Sequence, residues 1–254
     1  MRSIVLLALI SGLGVTAPAE ELCNPRELQG TYGFLLTGET NIAGPKPAVA
    51  LGLLVFDGND GVSGTSSVKY AGLLLGNPVR GTYTAGDHCE VAWALQDDSG
   101  AYQHFSGVAT PDEGRISFRQ TDPGGAPQGV LVRVPAQGCT MQDLQPKYAF
   151  SLSGTMIPMT QEGPTSPVSA KGVMAEYSNH IFALTLDGDR VPDSEVDLSI
   201  ESDCTMDLKV VLPVEGDATA KPMEFHGILV NGGKEILAIQ SDPGAVVSAR
   251  FTAK

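Results

Sequence analysis

The run Cys23–Gly38, CNPRELQGTYGFLLTG, returns 116 residues later as Cys139–Gly154, CTMQDLQPKYAFSLSG. Seven of the sixteen positions are identical (Cys, Leu, Gln, Tyr, Phe, Leu and Gly), and Glu27/Asp143 and Thr37/Ser153 are near-equivalent. A constant frame over that length marks a tandem duplication, so the chain reads as two copies of one unit. Inside each run the residues alternate. Tyr32, Phe34 and Leu36 share a face, as do Tyr148, Phe150 and Leu152, while Ala149, Ser151 and Ser153 take the opposite one. A period of two with aromatic residues on one side predicts a β-strand whose aromatic face is buried.

Further strands follow at short intervals in both copies. In the first half they are expected over Ala48–Phe56, Gly61–Tyr70, Val79–Ala85, Cys89–Gln96, Tyr102–Thr110, Arg115–Thr121 and Gly129–Val134. Second-half counterparts include Val168–Tyr177, Cys204–Val210, Met223–Val230, Glu235–Ser241 and Val246–Thr252. Ala48–Phe56 is apolar on both faces, which predicts cover on both sides or an interdomain contact. The 30 glycines and 17 prolines fall between the apolar runs and punctuate strands. Asp57-Gly58-Asn59-Asp60-Gly61 departs from the calcium-loop spacing and reads as a hairpin turn. Gln120-Thr-Asp-Pro-Gly124 and Gln240-Ser-Asp-Pro-Gly244 close the two halves with a second turn, in which Gly supplies positive φ after Pro.

No amphipathic helical stretch appears. About eight short strands per half predict an all-β protein of two tandem eight-stranded antiparallel barrels, with two β-sandwiches as the alternative. Trp93 follows Cys89 instead of lying between two cysteines, which argues against an immunoglobulin sandwich. The domains are expected at 20–136 and 137–254, joined by the short linker Pro135–Gly138 and therefore closely packed.

Residues 1–19 read as an export signal: Arg2, the apolar stretch Ile4–Val15, then Ala17-Pro18-Ala19 as a small-x-small cleavage site. They are too short to span a membrane, and no other segment is apolar enough to do so. An exported chain is expected to pair its four cysteines. The repeat places Cys23 with Cys139 and Cys89 with Cys204, so the bridges expected are Cys23–Cys89 and Cys139–Cys204. The chain carries a formal net charge of −13. That excess disfavours nucleic acid and anionic membrane surfaces as partners. Periplasmic or extracellular residence follows from the signal.

The runs GTYxF…L(T/S)G, an apolar strand ending in Phe56-Asp57-Gly58, Gly81-Thr-Tyr-Thr84 before Cys89, and the closing QTDPG resemble a group of uncharacterised exported bacterial proteins in which this unit occurs singly or in tandem. The second half departs from that pattern where Asp197–Ile200 replaces GTYT. By architecture the unit looks like the calycin or allene-oxide-cyclase-like barrels. The resemblance implies an extracytoplasmic location and no known activity, so it assigns no functional residue.

The residues themselves offer no catalytic constellation. There is no G-x-S-x-G elbow, no phosphate loop and no cysteine left free once both bridges form. Cysteine and histidine spacing offers no metal site, and nothing implies a cofactor. None of His88, His104, His180 and His226 recurs at its repeat-equivalent position, which reads as surface drift. Gln120 and Gln240 fall at the inner ends of strands, either bonding the DPG turns or orienting a ligand. If a barrel holds a small apolar ligand, the second half is expected to hold it, around Gln240, Tyr148, Phe150 and Met206, because Phe34, Trp93 and Phe118 fill the first. The reading is therefore a non-enzymatic structural or interaction module. A small apolar ligand or an extracellular protein is its expected partner, and a cyclase- or isomerase-type enzyme is the remotest alternative.

Overall fold

The computed structural model describes residues 25–40, 46–70, 73–86, 88–110, 114–125, 127–158, 164–178, 181–186, 189–190, 195–211 and 222–254. The leader 1–19, Cys23, His180 and the pair at 187–188 lie outside the described residues. Strands β1 (Gly30–Thr40), β2 (Lys46–Phe56), β3 (Gly61–Tyr70), β4 (Leu73–Ala85), β5 (Glu90–Asp97), β6 (Tyr102–Thr110), β7 (Arg115–Gln120) and β8 (Gln128–Arg133) form a closed antiparallel meander, with β8 returning to β1. Strands β9 (Lys147–Met156), β10 (Ser166–Ser178), β11 (Ile181–Leu186), β12 (Asp189–Arg190), β13 (Glu195–Ile200), β14 (Thr205–Val211), β15 (Met223–Val230), β16 (Glu235–Gln240) and β17 (Ala245–Ala253) make the second sheet. It closes through β9–β17 and β10–β11, with two-residue β12 as a side pairing. Both halves are thus eight-stranded antiparallel barrels. The sandwich alternative falls because each sheet closes on itself, the second through β10–β11 and the single pair Phe182–Val196 between β11 and β13.

Turn chemistry sets the register. The Asp57 carboxylate accepts from the Asn59 and Gly61 amides at 2.8 and 3.0 Å, joining β2 to β3. In the DPG turns Gly124 and Gly244 sit at φ +101° and +79°, the left-handed region that favours glycine. The Leu and Tyr shared by the two opening runs are core residues. Leu28 ends the 3-10 turn Pro25–Leu28 and Leu144 is the C-cap of the 3-10 turn Met141–Asp143, and both are buried, as are Tyr32 and Tyr148.

Three local expectations need correction. First, β1 does not alternate in exposure: Tyr32 to Leu36 are all buried. Its outward Gly33 and Leu35 face the other barrel, and a Cβ on Gly33 would meet Val230 and Ile228. In the second copy, where no barrel covers that face, Ser151 and Ser153 are exposed and the alternation holds. Second, β4 begins at Leu73, upstream of Pro78, which the sheet accommodates opposite Thr65. Third, Cys89 and Cys204 stand just before β5 and β14, at φ 59° and 72°, a left-handed turn at equivalent positions of both copies.

The barrels dock face to face. Leu35, Val49, Leu51, Val132 and Val134 of the first barrel join one continuous core with Ile228, Val230, Leu237 and Ile239 of the second. The two-faced apolarity of β2 is therefore that of an interdomain strand, and all six residues of β16 are buried. Two polar groups fix the alignment. Lys69, buried, donates to the carbonyls of Ser241 and Asp242 at 2.8 and 2.5 Å, tying β3 to the second DPG turn. Arg115 of β7 pairs with Glu235 of β16, whose other oxygen takes Arg250 at 3.4 Å. Asn231 donates to Glu235 at 3.1 Å.

Cys139 and Cys204 are bridged across a separation of 65 residues, and Cys89 is disulfide-bonded as well. Closing a loop of that length stabilises by about 4 kcal/mol in the chain-entropy view. Replacing Cys139 and Cys204 together by Ser is expected to lower the second barrel's denaturation midpoint by a comparable free energy. An unchanged melting curve would contradict it.

Candidate functional site

The residues expected to line a ligand chamber lie apart. Tyr148 stands at one end of the second barrel, donating to the Gly233 carbonyl at 2.6 Å and accepting from the Gln145 amide. Burial pushes its hydroxyl up to about 12, the Gln145 amide opposing. Gln240 is at the opposite end, where its amide donates to the Asp242 carboxylate at 2.9 Å. Gln120 does the same with Asp122 at 3.1 Å in the other barrel. Both glutamines are thus satisfied at their own turns, by the Asp side chain. Phe150 packs on Phe251 at 5.6 Å and Met206 is buried in the core.

In both barrels the described inward side chains pack against one another. In the first barrel Phe34 stacks on Phe118 at 5.3 Å, Trp93 on Phe105 at 5.2 Å, and Phe56 meets Tyr83 edge-on at 4.9 Å. The Trp93 Nε1–H in this packing has no hydrogen-bond partner. The second barrel, expected to be the one with room around Met206, also packs Met174, Phe182, Phe225 and Ile236 into its core. Of the four, only Phe182 comes from a strand, β11, that the sequence did not give.

The cavities described are all outside the barrels. One, about 860 Å³, is an open groove on the first barrel along Thr84, Gly86, Glu90, Ala92, Ser106 and Val108. A second, about 310 Å³, is a cleft between the barrels, with Ser199, Glu201, Thr205, Asp207, His226 and Ile228 on one wall. Leu51, Leu53, Thr65 and Ser67 of the first barrel form the other wall. The groove and the first wall of the cleft are the same surface of the repeat. Ala92 faces Ser106 across β5–β6 as Asp207 faces His226 across β14–β15. In the copy that the neighbouring barrel roofs, Gly86, Ala92 and Ser106 are replaced by Glu201, Asp207 and His226. A third cavity, about 510 Å³, lies by the linker around Arg133 and Asn231.

Two histidines have carboxylate partners. His226 Nδ1 lies 2.5 Å from Asp207, and His104 Nδ1 lies 2.7 Å from Asp122, whose other oxygen accepts the His104 amide. Burial tends to raise the Asp122 carboxyl, but these bonds and that from Gln120 bring it below the usual range. No nucleophile is bonded to either ring among the described residues, and no three metal-ligating side chains converge there. Reading the histidines as isolated positions hid the His226–Asp207 pair, which only cross-strand register brings together. The signal available was the difference between copies, Ser106 against His226 and Ala92 against Asp207.

No protein-family profile and no curated protein matches the sequence. Among solved structures the chain is similar to a protein of unknown function from the DUF3598 family of Nostoc punctiforme, at 9% identity and a TM-score of 0.27. The match covers 91% of this chain and 98% of that one. At that score the likeness carries no argument about function. Each barrel is a closed antiparallel meander, an architecture that fits the calycin-like expectation. The Cys139–Cys204 bond fits a non-reducing compartment. No helix among the described residues is long and apolar enough to cross a membrane.

Proposed function

We propose that this protein is an exported, non-enzymatic binding module whose two barrels serve as rigid scaffold and whose outer surfaces meet its partners. The observation that carries the reading is the packing of inward side chains against one another in both barrels. An eight-stranded barrel either packs its interior or encloses one small ligand, and the aromatic stacks of the first barrel and the aliphatic core of the second occupy that volume. Export is supported by the disulfide and by the leader composition.

Native mass spectrometry of the full chain, expressed with its leader and recovered from the extracytoplasmic fraction, tests both parts. The expected species begins at Glu20, carries two disulfides and holds no small molecule. A stoichiometric apolar adduct would overturn the reading in favour of a carrier, and an uncleaved chain in the cytoplasm would overturn export.

A further inference from the structure

We propose that Asn231 is a site of spontaneous covalent modification, and that its conversion to aspartate loosens the docking of the two barrels. The inference is independent of the binding reading above. Asn231-Gly232 is the only Asn-Gly pair in the chain. Asparagine is among the chemically labile residues, and a following glycine leaves the next peptide nitrogen uncovered. That nitrogen is open to attack here. A Cβ built on Gly232 meets nothing within 4 Å, and the Gly232 N–H donates to no acceptor among the described residues. Gly232 is exposed, and the pair lines the cavity of about 510 Å³ beside the linker, so water reaches it. The hairpin turn accounts for the residue types. Asn231, Gly232 and Gly233 hold φ at 53°, 61° and 83°, a left-handed run that Asn and Gly tolerate best. The reactivity comes with that choice.

The reaction balances with water as its one co-reactant. The Gly232 nitrogen attacks Asn231 Cγ, an N–Cγ bond forms, and the Cγ–Nδ2 bond breaks. The side-chain amide leaves as ammonia, taking the Gly232 proton. Water then opens the cyclic imide at either carbonyl and leaves aspartate or isoaspartate. Position gives this step a consequence. The Asn231 N–H donates to the Arg133 carbonyl of the first barrel at 2.9 Å, and its side-chain amide donates to Glu235 at 3.1 Å. Glu235 is the buried partner of Arg115, also of the first barrel. Conversion replaces the donor by a second carboxylate beside Glu235, and like charges in a poorly solvated site repel. The Glu235 bond is also a restraint, because Asn231 must release it to bring Cγ to the Gly232 nitrogen. The interdomain network thus slows the reaction that weakens it.

The test incubates the full chain in heavy-oxygen water at mildly alkaline pH and maps its peptides by mass spectrometry. Asn231 is expected to convert ahead of every other asparagine, with an oxygen taken from the solvent. An acetylated, amidated peptide spanning Leu229–Leu237 gives the unrestrained rate. The double variant Arg115→Met/Glu235→Leu removes the acceptor without leaving a buried charge unpaired, and should speed conversion severalfold toward that of the peptide. Asn231→Asp reproduces the product in a turn that tolerates it, and should lower the thermal midpoint of the full chain by about 3 °C. Survival of Asn231 after the peptide has converted, or a product without solvent oxygen, would overturn the site. An unchanged rate in the double variant would overturn the restraint, and wild-type stability of Asn231→Asp would overturn the loosening. Bound adducts and leader cleavage are read separately by native mass spectrometry, so either proposal can fail alone.

Discussion

Replacing Arg115 by Met is expected to destabilise the docked barrels by about 3 kcal/mol at neutral pH. Glu235 is nearly covered, with 9% of its side chain exposed, and Arg115 is 19% exposed, so solvent screens this pair little. Burial alone would raise the Glu235 carboxyl. The hydrogen bond and charge of Arg115, then Asn231 and Arg250, outweigh it and hold the carboxyl below its ordinary value. Removing Arg115 leaves a buried carboxylate with only Arg250 at 3.4 Å and Asn231 at 3.1 Å.

The sign of the pH dependence follows. A carboxyl depressed in the folded state contributes stability that is complete above its unfolded value, about 4.3, and is lost as pH falls through the folded one. The gap between wild type and Arg115→Met should therefore be widest near neutrality and close in acid. Urea denaturation of both proteins from pH 7 down to the onset of acid unfolding measures it. A pH-independent gap would contradict the assignment. The paired variant Arg115→Met/Glu235→Leu should recover most of the loss, because two apolar groups of similar volume leave no charge buried.

Truncating Trp93 to Ala should cost about 3–5 kcal/mol, the range for a buried aromatic removed from a close-packed core. Trp93 contacts Phe105, Phe118 and Phe56 with ring centroids at 5.2, 5.0 and 6.5 Å, so its loss opens a void between rings that cannot all move inward. Trp93→Phe separates packing from polarity. It retains most of the ring while deleting an indole N–H that has no partner, and an unsatisfied buried donor is a cost. The phenylalanine variant should thus remain close to wild type in thermal denaturation while the alanine variant melts far lower. Equal losses in the two would show that the site depends on the indole itself.

Much of this fold was legible in the residues because its signals are local. Alternation, turn residues and duplication gave β3 and β6 with the bounds observed, and β7 to within a residue. The positive φ of Gly124 and Gly244 follows from Asp-Pro-Gly alone. The candidate site was not legible, for two reasons. Gln240, Tyr148 and Met206 share a barrel but not a neighbourhood, and strand alternation reports which face a residue takes without reporting its height along the barrel. Asp207 and His226 are separated by 18 intervening positions, a distance closed only by the β14–β15 register.

The sequence by itself determined that one sixteen-residue run occurs twice, that both halves are all-β with turns at set places, and which face of most strands is apolar. These depend on a residue and its near neighbours, through the two-residue period of a strand and the few conformations a Pro-Gly turn allows. Only the tertiary structure decided that β1 buries both faces, which surface covers the second face of β2, that Arg115 and Lys69 are interdomain groups, and that Glu201 and Asp207 come to the cleft. Those depend on which surface of one barrel meets the other. That choice is set by complementarity between side chains a hundred or more positions apart, which no local period encodes.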